Sequence, residues 1–231
     1  AVEALQTASR CLIRNAWPSR LFVSEFIEIK KICAERGVKV YNPFHRQNYI
    51  EDKTYLVDLY QAGYPVIPSV DTMDDVHKLG RHKHYFIKPK NKCSGIGSEK
   101  ITGANLAKKR LQNYIIQPFI KFDYEICFYF IDNKFVHAFS TPNRLKGQKY
   151  SFYTPSKIDM AFARQFIEWN NLPFGLQRVD AVHVSTTKNL LLTEIEDFGP
   201  YLFLLELPQS YRLRMIKALT HSIQRRLSHN L

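Results

Sequence analysis

LLLTEIEDFGP, residues 190–200, joins an apolar strand to three carboxylates and a Gly-Pro turn. Side chains alternate between the two faces of a β-strand, so Glu194 and Glu196 should share one face while Ile195 points to the other. Two neighbouring like charges repel each other, and a cation between them would remove that repulsion. Carboxylate oxygens suit Mg²⁺, whose coordination shell nucleotide phosphates commonly complete. The alternative is an edge strand with a solvated acidic end, and the stretch by itself fits both equally.

HYFIKPKNKCSGIGS, residues 84–98, is a basic segment that favours the magnesium interpretation. An apolar strand leads to Lys88, Pro89 ends it, and a loop of small residues follows. Glycines let backbone N–H groups approach an anion closely, and a lysine adds a point charge for phosphate. Neither the Walker spacing nor the Rossmann fingerprint is present, and Gly-x-Gly alone is more often a hairpin turn than a phosphate site.

Composition indicates a soluble globular protein of the cytoplasm. The chain has 231 residues, of which 45% are hydrophobic, enough to bury a core. No run approaches the ~20 apolar residues of a membrane span, and no signal peptide is visible, so no membrane is expected. Four cysteines without CxxC spacing indicate reduced thiols rather than a disulfide framework or a zinc site.

The formal net charge of +12 predicts an anionic partner. Nucleotide phosphates and an acidic substrate would account for part of it. Residues 212–226 form a predicted amphipathic helix whose basic residues are explained by a solvated face. Its apolar stripe is expected to be Leu213, Ile216, Leu219 and Ile223. No nucleic-acid-binding motif is present, so nucleic acid is not the expected partner.

Apolar periodicity and turn residues predict a mixed α/β chain that opens with a βαβ unit. Helices are expected at residues 22–36, 52–62 and 157–170, and a βα module at 83–110 holds the glycine loop. Strands are expected at residues 10–14, 38–41, 65–68, 114–118, 124–131, 134–140, 175–184 and 189–196. A loop is expected around Trp17-Pro18 and at 141–153, and the Asp132-Asn133 turn should form a hairpin.

Taken in order, these features resemble the ATP-grasp carboxylate–amine ligases over about residues 42–205. The family pattern has a lysine near a helix start, a strand that ends in a second lysine before a small-residue loop, and a hinge strand for adenine. A distal aspartate and a Glu-x-Glu pair complete it. The matching residues here are Lys53, Lys88, the loop Ser94–Ser98, the hinge IIQPFI at 115–120, Asp180, and Glu194 with Glu196. Within the family, the chain is most similar to glutathione-synthetase-like and cycloserine-forming ligases.

The resemblance implies an α+β / α/β ATP-grasp fold, with two α+β subdomains that clasp the nucleotide. A shortened N-terminal pre-ATP-grasp α/β domain is expected at residues 1–70. The small ATP-grasp subdomain with the phosphate-covering loop should span 71–118, and the C-terminal subdomain with the metal site 119–231.

The implied activity is ATP-dependent amide formation between a carboxylate and an amine through an acyl phosphate, in small-molecule or peptide tailoring. The implied partners are ATP, Mg²⁺ and small-molecule or peptide substrates, and a homodimer stays open. The resemblance assigns phosphoryl-group contacts to Arg178 and Arg144, and magnesium ligation to Asp180, Glu194 and Glu196. It assigns nucleotide binding to Lys53, Lys88, Ser94, Gly95, Gly97, Ser98, Gln117, Pro118, Phe119, Ile120 and Glu125.

Two departures from the family pattern stand out. Gln117 occupies a hinge position where the family commonly has Glu, and the N-terminal domain is short, which affects the acceptor-substrate site. Two other functions stay open: a nucleotide-binding ATP-grasp kinase or pseudoenzyme, and a basic nucleic-acid or protein-binding module.

Several assignments also have a structural alternative. Lys53 fits the first turn of a surface helix, and Glu125 fits the solvent side of an alternating strand. Arg178 and Asp180, two residues apart on one strand, should share a face with Glu194 across the hairpin, and a surface ion pair is the alternative there. Arg144, in a polar loop, fits a substrate or phosphate contact no better than a surface position.

Overall fold

The computed structural model describes residues 2–12, 23–44, 53–91, 95–142, 150–197 and 199–227. The helices are α1 (Val2–Leu5), α2 (Val23–Arg36), α3 (Tyr55–Gln61), α4 (Gly103–Leu106), α5 (Lys157–Asn170) and α6 (Gln209–Leu227), with a 3₁₀ helix at Asp74–Leu79. The strands are β1 (Arg10–Leu12), β2 (Lys39–Tyr41), β3 (His84–Pro89), β4 (Glu99–Thr102), β5 (Tyr114–Pro118), β6 (Phe122–Ile131), β7 (Lys134–Pro142), β8 (Ser151–Tyr153), β9 (Leu176–Val184) and β10 (Leu190–Glu196).

The strands form three sheets. A large antiparallel sheet has the order β10-β9-β6-β7-β8, and a small antiparallel sheet has the order β4-β3-β5. Strands β1 and β2 pair in parallel near the N-terminus. The segment 65–70 connects the two antiparallel sheets: Ile67 N–H donates to the Leu192 carbonyl at 3.2 Å, and Val70 exchanges two backbone hydrogen bonds with Ile116 at 2.7 and 3.0 Å.

Alternating side chains give the large sheet two buried faces. One face packs on α3 and α5 through residues such as Leu56, Phe128 and Phe166. The other face packs on α6 and the segment before it, through Tyr129 and Met215 among others. Because both faces are covered, the strands in the middle of this sheet are apolar on both sides, and charged residues there need specific partners.

Helix α5 is delimited by its own sequence. The Ser156 hydroxyl accepts a hydrogen bond from the Asp159 N–H at 3.2 Å, and the Asp159 carboxylate accepts one from the Ser156 N–H at 2.8 Å, which is a capping box. Asn171 ends the helix in the left-handed conformation. These signals explain why the sequence predicts residues 157–170 with the observed boundaries.

The predicted hairpin between β6 and β7 is also confirmed, since Asp132 and Asn133 have positive φ values of 49° and 62°. The strand predicted at 65–68 is wrong: within it only Val66 forms a β-bridge, and its two prolines have no N–H to donate to a ladder. The loop predicted at 141–153 is wrong at both ends, since β7 reaches Pro142 and β8 begins at Ser151. Residues 13–22, which include the predicted Trp17-Pro18 loop, lie outside the described part of the chain.

The apolar stripe predicted for α6 is confirmed at Leu219, which packs against the core, but is wrong at Leu213 and Ile216. Leu213 and Ile216 are 48% and 42% exposed, whereas Met215 and Ser222 are buried. Ser222 is polar but faces inward because its hydroxyl accepts from Tyr41 and donates to Asp132, at 2.8 and 2.9 Å. These hydrogen bonds orient the helix against its hydropathy pattern. Among the described residues, no helix is long and apolar enough to cross a membrane.

Candidate active site

A β-bulge determines which way the glutamates of β10 point. Leu190 and Leu192 belong to the core between the large sheet and α5. Strict alternation from Leu192 would also point Glu194 and Glu196 into that core. The pairing of β10 with β9 shifts register between Leu192 and Glu194, so Thr193 is the extra residue of a bulge. The shift turns both glutamates to the opposite face of the sheet.

Beyond the bulge, the acidic residues of β10 lie opposite charged residues of β9. Glu194 pairs with Asp180, and Glu196 pairs with Arg178. Directly opposed residues in an antiparallel pair project to the same face, so these four side chains form one cluster. Ile195 keeps its place in the apolar core. The sequence-based prediction that Arg178, Asp180 and Glu194 share a face is confirmed.

Arg178 is the centre of this cluster and is 8% exposed. Its Nε and Nη2 donate to the two oxygens of Asp180, each at 2.7 Å, and Nη2 also donates to Glu196 Oε1 at 2.6 Å. Nη1 donates to the Tyr201 carbonyl at 3.4 Å. Burial disfavours the charged guanidinium, but Asp180 and Glu196 outweigh it and raise the pKa of Arg178 above its ordinary value.

Glu196 has a strongly perturbed ionisation. Burial, and then the negative charges of Asp180 and Glu194, raise the pKa of Glu196 to about 7, although Arg178 acts in the opposite direction. A carboxylate under such repulsion is stabilised by additional positive charge, which a cation or a positively charged side chain can supply.

Lys53 links this cluster to the small sheet. Its side chain is buried, and Nζ forms an ion pair and hydrogen bond with the Glu194 carboxylate. Its backbone N–H donates to the Lys90 carbonyl at 3.2 Å, just after the end of β3. Lys88, two residues before Lys90, projects to the same face of β3 as Phe86 and lies 5.9 Å from that ring. Lys53 therefore contacts both the acidic cluster and the residue that follows the Lys88 strand.

The glycine loop continues from this strand. Gly95 and Gly97 have φ values of 72° and 74°, a region that glycine adopts without steric cost. Ser98 N–H donates to the Gly95 carbonyl at 3.0 Å, which closes the turn before β4. Ser94, predicted in this loop, and Arg144, predicted as a phosphoryl contact, lie outside the described residues.

The predicted adenine hinge, residues 115–120, comprises most of β5 and the two residues after it. The Gln117 side chain is buried and donates to the Ser69 hydroxyl at 2.8 Å, and Ser69 in turn donates to the Ile67 carbonyl at 2.7 Å. Gln117 thus anchors the segment that connects the two sheets. After Pro118, Phe119 is 38% exposed and its ring lies 4.0 Å from Lys100 Nζ. Ile120, next in the hinge, is half-buried.

Glu125 lies on the same face of the large sheet as the acidic cluster. On β6, Glu125 is opposite Val182, Cys127 is opposite Asp180, and Tyr129 is opposite Arg178. Period-2 alternation along β6 places these three residues on one face. Glu125 is half-buried and is two positions along the strand from the residue facing Asp180.

Three contacts of the site have no signal in the sequence. Tyr129 donates its hydroxyl proton to the Tyr201 carbonyl at 2.6 Å, so that carbonyl is shared with Arg178. The Tyr55 hydroxyl accepts from Ile195 N–H at 2.9 Å and so fixes β10 between the two glutamates. Asn42 contacts the ends of β9 and β10. Each contact joins residues more than 70 positions apart, which periodicity cannot detect.

The donor set fits a magnesium ion. Among the described residues, no three His, Cys, Asp or Glu side chains are grouped as metal ligands, and the three predicted carboxylates contact Arg178 or Lys53 instead. Asp180, Glu194 and Glu196 nevertheless offer hard oxygen donors from one face, and the charges of Asp180 and Glu194 add to burial in raising the pKa of Glu196. Mg²⁺ typically binds one or two carboxylates together with substrate phosphates.

No protein-family model and no curated protein sequence matches this chain. In structure, the chain is similar to the D-cycloserine synthetase DcsG, with a TM-score of 0.72 and 20% identity over 94% of this chain and 84% of that one. It is similar to a D-alanine–D-alanine ligase from Bacillus anthracis in complex with ATP (TM-score 0.66, 13% identity, 97% and 82% coverage). It is also similar to the macrocyclase MdnC from Microcystis aeruginosa bound with its precursor peptide MdnA (TM-score 0.65, 13% identity, 94% and 79% coverage).

These likenesses establish that the chain has the ATP-grasp fold, as its sequence predicts. Fold alone does not define chemistry, which depends on the residues of the site.

Proposed function

We propose that this chain is an ATP-dependent, ADP-forming carboxylate–amine ligase. The observation that carries the proposal is Arg178, held between Asp180 and Glu196 on one face of the large sheet, with Lys53 joining Glu194 to the end of β3. Fixed cations and carboxylates are thereby concentrated where the two sheets meet. Phosphoryl transfer needs this combination, because its catalysis rests on positioning and on electrostatic stabilisation of the phosphates.

The proposed reaction has two steps. A substrate carboxylate oxygen attacks the γ-phosphorus of ATP, the bond to the β-γ bridging oxygen breaks, and an acyl phosphate and ADP form. The amine nitrogen then attacks the acyl carbon, the carbon–oxygen bond to phosphate breaks, and the nitrogen loses a proton. The products are an amide and inorganic phosphate, and no nucleophilic side chain is required.

Asp180, Glu194 and Glu196 would hold Mg²⁺. When bound, Mg²⁺ would neutralise negative charge that develops on the transferred phosphoryl group. Lys53 and Lys88 would bind phosphate oxygens with their ammonium groups. Lys53, which pairs with Glu194, would exchange part of that contact for the phosphates.

Arg178 would stabilise the transferred phosphoryl group and the tetrahedral intermediate. The planar fork of the guanidinium donates from Nε and Nη2 to Asp180 and Glu196, which fixes its orientation, and from Nη1 to the Tyr201 carbonyl. The second Nη1 proton would then donate to a phosphate oxygen. Because the guanidinium is held in place before the reaction, little reorganisation is needed as charge develops.

The remaining predicted residues would bind and cover the nucleotide. The hinge Pro118–Ile120 would contact the adenine, and Glu125 would contact the ribose hydroxyls. The small residues Gly95, Gly97 and Ser98 would lie over the phosphates and exclude water, which would otherwise hydrolyse an acyl phosphate. The substrates proposed are a small-molecule or peptide carboxylate and an amine, since the similar structures include a cycloserine synthetase and a macrocyclase bound to a precursor peptide.

Thermal unfolding with nucleotide tests the first part of this proposal. ATP with excess Mg²⁺, at ~100 times its Kd, should stabilise the protein by ~2.7 kcal/mol, and ATP with EDTA should stabilise it less. ADP release is then measured with panels of carboxylates and amines. Absence of a shift at millimolar ATP and Mg²⁺ would rule out the nucleotide site. A kinase would be indicated if ATP stabilises the protein and ADP release requires a carboxylate, but no amide is formed with any amine.

A further inference from the structure

We infer that Asn42 is a positioning residue that sets the spacing of the two strands carrying Arg178 and Glu196, and thereby the magnesium affinity of the site. This inference rests on the proposed function. Asn42 directly follows β2, is 5% exposed, and lies outside the residues to which the family resemblance assigns a role.

The Asn42 amide forms three hydrogen bonds with the backbone at the start of β9 and just after the end of β10. Nδ2 donates to the Leu176 carbonyl at 2.6 Å and to the Asp197 carbonyl at 2.5 Å, and Oδ1 accepts from Leu176 N–H at 2.9 Å. Both protons of the amide nitrogen are used, and no other side chain of this size offers two donors and an acceptor in one plane. The side chain therefore takes the place of a backbone segment at the end of the sheet.

The position of these contacts explains their consequence. The last paired residues of β9 and β10 are Arg178 and Glu196. Leu176 lies two residues before Arg178, and Asp197 directly follows Glu196. Asn42 thus joins the backbones of the two strands just past the point where the ladder ends, while Asn170 joins their side chains there by donating to Gln177 and Asp197. The Arg178–Glu196 contact at 2.6 Å depends on the separation of the two strands.

The surrounding backbone is shaped for this side chain. Asn42 has a φ of 55°, a left-handed conformation that asparagine tolerates better than most residues. Gly175 has a φ of 122°, and a Cβ at this position would lie only 2.6 Å from Asn42 Oδ1. The sequence therefore supplies both an asparagine that can turn into the strands and a neighbour without a side chain to obstruct it.

The neighbouring Tyr41 provides a matched control. Its hydroxyl donates to Ser222 at 2.8 Å, which ties β2 to α6, and Tyr41 is likewise buried. Tyr41→Phe removes one buried hydrogen bond from the same junction but leaves the Asn42 contacts with β9 and β10 in place. Tyr41→Phe and a substitution of Asn42 should both lower the unfolding temperature of the ligand-free protein. Only a change in the Mg²⁺ concentration that the protein requires therefore distinguishes a positioning role from a general loss of stability.

The test is a Mg²⁺ titration at fixed saturating ATP, followed by thermal unfolding, on the wild type, Asn42→Gly, Asn42→Asp and Tyr41→Phe. Glycine keeps the left-handed backbone, and aspartate keeps the size of the side chain while losing both donated bonds. The half-saturating Mg²⁺ concentration should rise about tenfold for both Asn42 variants, the lower end of the effect of residues that orient metal ligands. Tyr41→Phe should match the wild type.

The negative charge of the aspartate would by itself strengthen cation binding. Weaker Mg²⁺ binding by Asn42→Asp therefore cannot be attributed to the added charge. Equal half-saturation in all four proteins, or equal increases in Asn42→Asp and Tyr41→Phe, would overturn the inference. If Asn42→Gly does not fold, Asn42→Asp decides alone. A wild type that shows no stabilisation by ATP and Mg²⁺ would instead overturn the proposed function, so the two failures are distinguishable.

Discussion

His137 gives a prediction whose size follows from the structure. It lies on β7 and is 1% exposed. Its ring stacks on Tyr129 with centroids 4.5 Å apart and an interplanar angle of 17°, and it meets the Phe139 ring edge-on at 5.1 Å. Both ring nitrogens are buried without a hydrogen-bond partner among the described residues. Burial, and then the charge of Arg214, lower the pKa of His137 to about 4.

The sign of the pH effect follows from linkage. The unfolded chain binds a proton at this histidine below its ordinary pKa of 6.5, whereas the folded protein binds it only below about 4. The stability associated with a neutral His137 is therefore fully present above pH 6.5 and is lost as the pH falls towards 4. The difference of about 2.5 pKa units corresponds to on the order of 3 kcal/mol.

His137→Phe should remove this dependence and keep the ring stacking. Urea unfolding of both proteins between pH 7 and pH 4 measures it: the wild type should lose on the order of 3 kcal/mol more than the variant. At pH 7 the variant should be as stable or more stable, since a buried ring with two unpaired nitrogens is replaced by an apolar one. Glu196 titrates in both proteins, so its contribution cancels in the difference. Parallel curves for the two proteins would refute the argument.

Two predictions concern the charged cluster. Arg178→Lys should lower kcat about 10²–10³-fold with a smaller loss of ATP affinity, since a point charge cannot replace the fork; near wild-type kcat at saturating substrates would make Arg178 structural. Glu194→Gln and Glu196→Gln should both abolish Mg²⁺-dependent ADP formation. Glu194→Gln should be the less stable variant at pH 8, because it removes the carboxylate that pairs with the buried Lys53, whereas after Glu196→Gln the Arg178 guanidinium keeps Asp180; equal unfolding midpoints in urea would contradict this.

The sequence was sufficient for the elements that carry the site, because their signals are local. The capping box fixes the start of α5, and the Asp132-Asn133 turn fixes the β6–β7 hairpin. Alternation alone gives the shared face of Glu194 and Glu196, and the predicted pairing of Asp180 with Glu194 holds because the hairpin between β9 and β10 is short.

The contacts that complete the site could not be predicted because they join distant parts of the chain. Lys53 meets Glu194 across 141 positions, and Asn42 meets Asp197 across 155. Neither contact follows from a repeat or a motif within one element. Ser222 shows the same limit: it is not part of the apolar stripe predicted for α6, but two hydrogen bonds to distant residues accompany its burial.

The bulge at Thr193 connects the fold to the proposed chemistry. Strand β10 must supply Leu190 and Leu192 to the core against α5 and must also supply two carboxylates to the opposite face. A regular strand cannot do both, because residues 190, 192, 194 and 196 would all lie on one face. Two carboxylates without partners in an apolar core would cost several kcal/mol each. The one inserted residue moves every later even-numbered residue to the opposite face. The Tyr55 hydroxyl then fixes the strand at Ile195, between the two glutamates. The bulge is therefore the structural condition under which one strand both contributes to the apolar core and presents the two carboxylates that are proposed to bind a metal.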